Sequence, residues 1–84
     1  MTFGSELRRE RKARGMNQVA LVEALMAAGA GAQQSTISEW ERDERRPTWA
    51  QWRALVLVMD WAPERSDELL RLGGPPDAAE GAAP

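Results

Sequence analysis

A chain of 84 residues suffices for one compact domain with one modest hydrophobic core, and is too short for a second domain beside it. It contains no cysteine and no histidine, which excludes disulfide frameworks, the usual structural zinc sites, thiol nucleophiles and imidazole acid–base chemistry. The formal net charge of −2 argues against a protein that coats nucleic acid through bulk charge, but up to Arg46 the basic residues cluster in two runs, Arg8 to Arg14 and Arg42 to Arg46, and beyond Pro47 acids outnumber bases.

Phe3 to Arg14 reads as a first helix, capped by Thr2 or a neighbour, with Phe3 and Leu7 four apart on one face and Gly15 at its stop. Asn17 caps a second helix from Gln18 to about Ala28, which carries Leu21, Val22, Leu25 and Met26 at helical spacing. Gly29-Ala30-Gly31 then breaks it, in a connection expected to be long and flexible. Gln33 to Glu41 or Arg42 forms a short third helix with Ile37 and Trp40 inward and Gln34, Ser35, Ser38 and Glu39 pointing elsewhere. Pro47 closes the loop after it. Thr48-Trp49-Ala50-Gln51 has the capping-box pattern and opens a fourth helix that buries Trp52, Leu55, Val56 and Met59. Pro63 at a first-turn position, with Leu69, Leu70 and Leu72 before Gly73, marks a short fifth helix. From Gly73 the Gly/Pro/Ala-rich segment has no periodicity and little to bury, so a domain of residues 1–72 is expected to be followed by a flexible tail, 73–84. The fold class is all-α, with five helices. No apolar run approaches the roughly 18 residues of a membrane span, and Met1-Thr2-Phe3-Gly4 has no basic segment leading into an apolar one, so a cytoplasmic location is expected.

Two constellations point to chemistry. Arg11 follows Phe3 and Leu7 at four-residue steps, and Glu41 follows Ile37 likewise. Two charges drawn toward one small core are tolerable only if they meet, so an ion pair should tie the first helix to the third. The second constellation is the polar face of the third helix. Gln34, Ser35 and Ser38 are short or neutral two-way hydrogen-bonding residues suited to edge-on contact with bases in a major groove. Glu39 is the odd member, since a carboxylate repels phosphates; it can accept from a cytosine amino group or orient a neighbouring arginine. The carboxylates show no paired spacing that would serve catalysis, so no enzyme activity, metal, cofactor or small-molecule ligand is expected. Of the four tryptophans, core packing accounts for Trp40, Trp52 and Trp61, whereas Trp49 lies off the apolar stripe of its helix and is expected to be exposed, at a dimer contact or against DNA.

Leu7-Arg8-Arg9-Glu10-Arg11 followed by Gly15-Met16-Asn17-Gln18, then Gln34-Ser35-Thr36-Ile37-Ser38-Glu39-Trp40-Glu41 and Arg46-Pro47-Thr48, resembles the Cro and lambda-repressor-like helix-turn-helix family over about residues 3–61. The resemblance implies that the second and third helices form the helix-turn-helix, with the third in the major groove of double-stranded DNA. By position it implies that Gln18 binds a phosphate, that Gln34, Ser35 and Glu39 read bases, that Thr36 lies near the backbone, and that Arg42, Arg45 and Arg46 grip the groove's far side. The Arg11–Glu41 pair also matches a structural salt bridge common in that family. A homodimeric repressor bound to an operator follows as the expected function; the sequence does not mark the dimer surface, and the fifth helix with Leu69, Leu70 and Leu72 is the candidate for it. The rival expectation is a protein-interaction module on the same fold, an antitoxin or an adaptor. One departure from the family is plain: Met26 to Ala32 replaces its tight turn with about five more residues, so either the second helix gains a turn or the connection becomes a small loop.

Overall fold

Helices form where local caps and apolar spacing coincide. The structure, a computed structural model, describes residues 1–75 and contains α1 (Phe3–Ala13), α2 (Gln18–Ala27), α3 (Gln34–Glu41), α4 (Trp49–Met59) and α5 (Pro63–Gly73), with no strand among the described residues. Thr2 and Thr48 each close a capping box. Thr2 Oγ1 accepts from the Ser5 N–H and Ser5 Oγ from the Thr2 N–H, while Thr48 and Gln51 exchange the same two bonds. Asn17 Oδ1 accepts from the Ala20 N–H at 2.7 Å, and α5 starts on Pro63.

Helices α1 to α4 all stop in the same way. A residue at the end of the last turn, the C-cap itself in α4 and the residue after the C-cap in the others, turns left-handed, and its N–H and that of the next residue fold back onto the last turn. Gly15 (φ 70°) and Gly29 (φ 94°) do this without a Cβ penalty, whereas α3 and α4 use Asp43 (φ 60°) and Asp60 (φ 54°). At the end of α2 the Ala30 N–H donates to Leu25 O and the Gly29 N–H to Met26 O. The extra residues thus do not lengthen α2. They make a small loop that is pinned by buried Ala30, not the open, flexible connection expected.

In packing, α1 lies against α3 and α5, and α2 against α3 and α4. Phe3, Leu7, Leu21, Leu25, Ile37, Trp40, Trp52, Leu55, Met59, Trp61 and Leu69 form the core. Phe3, Trp52 and Trp61 stack in series with tilted rings, at centroid separations of 5.7 and 5.6 Å, within the range where aromatic pairs add to simple burial. Burying each of these large side chains contributes about 1.5–3 kcal/mol, the main stabilising resource of so small a domain. The radius of gyration, 11.9 Å, agrees with the roughly 11–12 Å of a compact domain of this length.

Three expectations are corrected. Leu69 is fully buried and Leu70 packs against the core, leaving only Leu72 partly exposed, so the apolar side of α5 closes the domain and is not a free dimer surface. Trp49 is half-buried, packed at the rim of the core next to Trp52 and Val56. Gly73 is the last residue of α5 and Gly74 and Pro75 are buried, so the ordered chain continues past residue 72; the remainder of the expected tail lies outside the described residues. No described helix is long and apolar enough to cross a membrane.

Candidate functional site

The junction of α1, α2 and α3 is built around a two-point ion pair. Arg11 Nε donates to Glu41 Oε2 at 2.6 Å and Nη2 to Oε1 at 3.0 Å, and the side chains are only 8% and 5% exposed. A third guanidinium nitrogen, Nη1, donates to Met16 O at 2.8 Å, which fastens the turn between α1 and α2. Glu41 keeps the Arg11 guanidinium charged against the opposing effect of burial. The sequence-derived partners are therefore together, and the charges are satisfied on both sides.

Gln18, in the first turn of α2, joins this pair to the outer face of α3. Its Nε2 donates to Glu41 Oε1 at 3.2 Å, and its Oε1 accepts from Ser38 Oγ at 3.0 Å and from Gln34 Nε2 at 3.3 Å. The chain Arg11–Glu41–Gln18–Ser38 fixes the rotation of α3 against α2 through side chains with little freedom left. Ser38 is half-buried and its hydroxyl donates to Gln18, a contact that positions α3 against α2. Gln34 and Ser35 are exposed, Thr36 and Glu39 half-buried, and Ser35 and Glu39 share one ridge, four residues apart.

The three loop arginines separate. Arg42 Nη2 donates to Glu44 Oε1 at 3.0 Å, an exposed pair in which Arg42 holds the Glu44 carboxyl below its ordinary range. Arg45 turns back onto α3, its Nε 3.1 Å from Glu39 Oε1. Arg46 is exposed and has no ion-pair partner among the described residues. Arg8 lies one turn before Arg11 in the first basic run. It lines, with Arg11, Gln18, Ser38, Glu41 and Arg42, a surface depression of about 270 Å³, and it too lacks an ion-pair partner among the described residues.

The acids of α1 face elsewhere. Arg65 of α5 lies 2.7 Å from Glu6 and 2.6 Å from Glu10, and also pairs with Glu68. Trp61 Nε1 donates to Glu10 at 2.7 Å, and Arg9 and Arg14 complete the cluster through Glu6 and Glu10. Arg65 first, then Arg9, hold the Glu6 carboxyl below its usual value. For Glu10 burial pushes upward, but the Trp61 and Arg65 hydrogen bonds outweigh it and the carboxyl is lowered. The carboxylates on the α5 side of α1 are thus paired, whereas around α3 Arg42 pairs with Glu44 and Arg45 with Glu39, and Arg8 and Arg46 have no ion-pair partner among the described residues.

No family model, no curated protein and no solved structure matches this chain.

Proposed function

We propose that the protein is a non-catalytic, sequence-specific DNA-binding regulator, a repressor of the lambda-repressor-like helix-turn-helix kind, in which α2 and α3 form the motif and α3 enters the major groove. The observation that carries this reading is the outward row Gln34, Ser35 and Glu39 on a helix whose rotation is fixed from behind by Gln18 and Ser38, flanked by Arg8, Arg42 and Arg46. A rigid helix with short polar side chains is what groove readout needs, since a reading residue must be held in place before the base arrives.

Arg8 and Arg46 supply the phosphate contacts from two sides, and Gln18 adds a neutral one through its remaining amide hydrogen. The bound species is a homodimer on a palindromic operator, with half-sites about 10 base pairs apart. Selection from a randomised duplex pool tests the assignment: a defined site should be enriched, and log affinity for it should fall linearly with log salt.

A second reading, a protein-interaction module, draws support from a different place. Trp49, Trp52, Arg53, Val56 and Leu57 line an apolar depression of about 480 Å³, and Leu57 is 71% exposed. A protein of this kind would enrich no duplex and show no salt-dependent DNA binding.

A further inference from the structure

Resting on the proposed DNA-binding role, we infer that Arg45 is a base-reading residue directed at guanine, with Glu39 as its positioning residue, and not one of the arginines that grip phosphate. Glu39 belongs to the same outward ridge of α3 as Ser35, and it is 32% exposed, whereas Arg45 comes from the loop beyond the end of the helix. The loop returns over α3 because Asp43 turns left-handed and the Glu44 N–H donates to Glu39 O at 2.8 Å, so the Arg45 side chain starts beside Glu39. The contact is made by Arg45 Nε alone, to Glu39 Oε1. Neither terminal nitrogen of the guanidinium has a hydrogen-bond partner among the described residues, so the Nη1–Nη2 edge stays open, 59% of the side chain being exposed.

That edge is a planar pair of donors, and the acceptor pair that matches it in a major groove is O6 and N7 of guanine. Charge decides between base and phosphate. Glu39 cancels the net charge of Arg45 and would repel a phosphate, but it leaves the donors in place and polarised for a neutral acceptor edge. The same pairing explains why a carboxylate is tolerated on a reading face: it is never presented alone. Arg46, next in sequence and without a carboxylate partner among the described residues, keeps the positive charge that phosphate binding uses.

The test compares sites selected from a randomised duplex pool by the wild type, Arg45→Ala and Glu39→Ala, followed by affinities for the wild-type site carrying 7-deazaguanine, which lacks the N7 acceptor, at each guanine in turn. Wild type should show one guanine in each half-site whose replacement by another base weakens binding about 5- to 150-fold and whose deaza form weakens it in the same direction. Arg45→Ala should lose preference at that position alone, with the others retained as a built-in control for folding. Glu39→Ala should blur the same position, and the double variant should be no worse there than Arg45→Ala. A uniform loss on every sequence from Arg45→Ala, or a Glu39→Ala effect at a different position such as a cytosine, overturns this inference while leaving the DNA-binding role intact. Enrichment of no site by the wild type overturns both.

Discussion

The Gly4 backbone N–H donates to Asp43 Oδ1 at 2.9 Å, so the residue that ends α3 also caps the start of α1. Asp43 sits at φ 60°, where glycine is at ease and aspartate is only tolerated. Asp60 occupies the equivalent position at the end of α4, at φ 54°, but its side chain makes no hydrogen bond among the described residues. Replacing each with glycine therefore separates backbone ease from capping. Asp60→Gly should raise stability by about 0.5–1 kcal/mol through relief of the left-handed backbone. Asp43→Gly should fall below it by about 1 kcal/mol, the usual worth of a helix cap. Denaturant unfolding of the two variants against wild type checks both, and equal shifts would remove the capping role.

Gly4 itself permits this approach. A Cβ on Gly4 would stand 2.5 Å from Trp40 O and 2.6 Å from Glu41 O, both backbone atoms of α3 that have no soft neighbour to yield. Gly4→Ala, which would help an isolated helix by up to about 1 kcal/mol, should here destabilise by about 1–3 kcal/mol because α1 must back away from α3. A raised melting temperature in this variant would contradict the close packing of the two helices.

Removing one partner of the Arg11–Glu41 pair leaves the other charge buried and unpaired. Glu41→Ala should cost about 3–5 kcal/mol. Replacing both by apolar residues of similar volume should recover most of that loss, since no charge is then stranded. Chemical unfolding of the single and double variants decides it, and a single substitution that leaves the midpoint unchanged would show the pair to be idle.

The Glu6 and Glu10 carboxyls are both lowered from an ordinary value of 4.5 in the folded protein, by Arg65 with Arg9 for Glu6 and by Trp61 with Arg65 for Glu10. Below 4.5 the unfolded chain binds more protons than the folded one, so this stabilisation is complete above that pH and is lost as pH falls through the folded-state values. The melting temperature should hold steady down to about pH 5 and then fall with acid. Arg65→Ala should lower the plateau and flatten the acid limb. An acid limb as steep in the variant as in wild type would place the responsible carboxylates elsewhere.

Features legible from sequence are those in which cause and effect are close along the chain. Thr2, Asn17 and Thr48 cap through bonds to residues three positions on, and four-residue steps from Leu7 to Arg11 and from Ile37 to Glu41 put both charges on core-facing sides. What sequence reasoning missed is long-range or degenerate. Glu6 and Glu10 meet Arg65 across 59 and 55 residues, and nothing local says that their side of α1 will face α5. Asp43 and Asp60 do the work of a terminal glycine, a role that aspartate signals weakly because it also serves as turn and surface residue. Arg45 reads as one more loop cation until the return of the loop over Glu39 is seen.

Binding of a selected duplex, measured by fluorescence anisotropy across a salt series for wild type and Arg46→Ala, bears most directly on the proposed function. The wild type should bind saturably, with log affinity falling linearly against log salt, and Arg46→Ala should bind more weakly with a slope shallower by about 1 per bound copy. Absence of saturable binding to any selected duplex at low salt, or an affinity indifferent to salt, would contradict it.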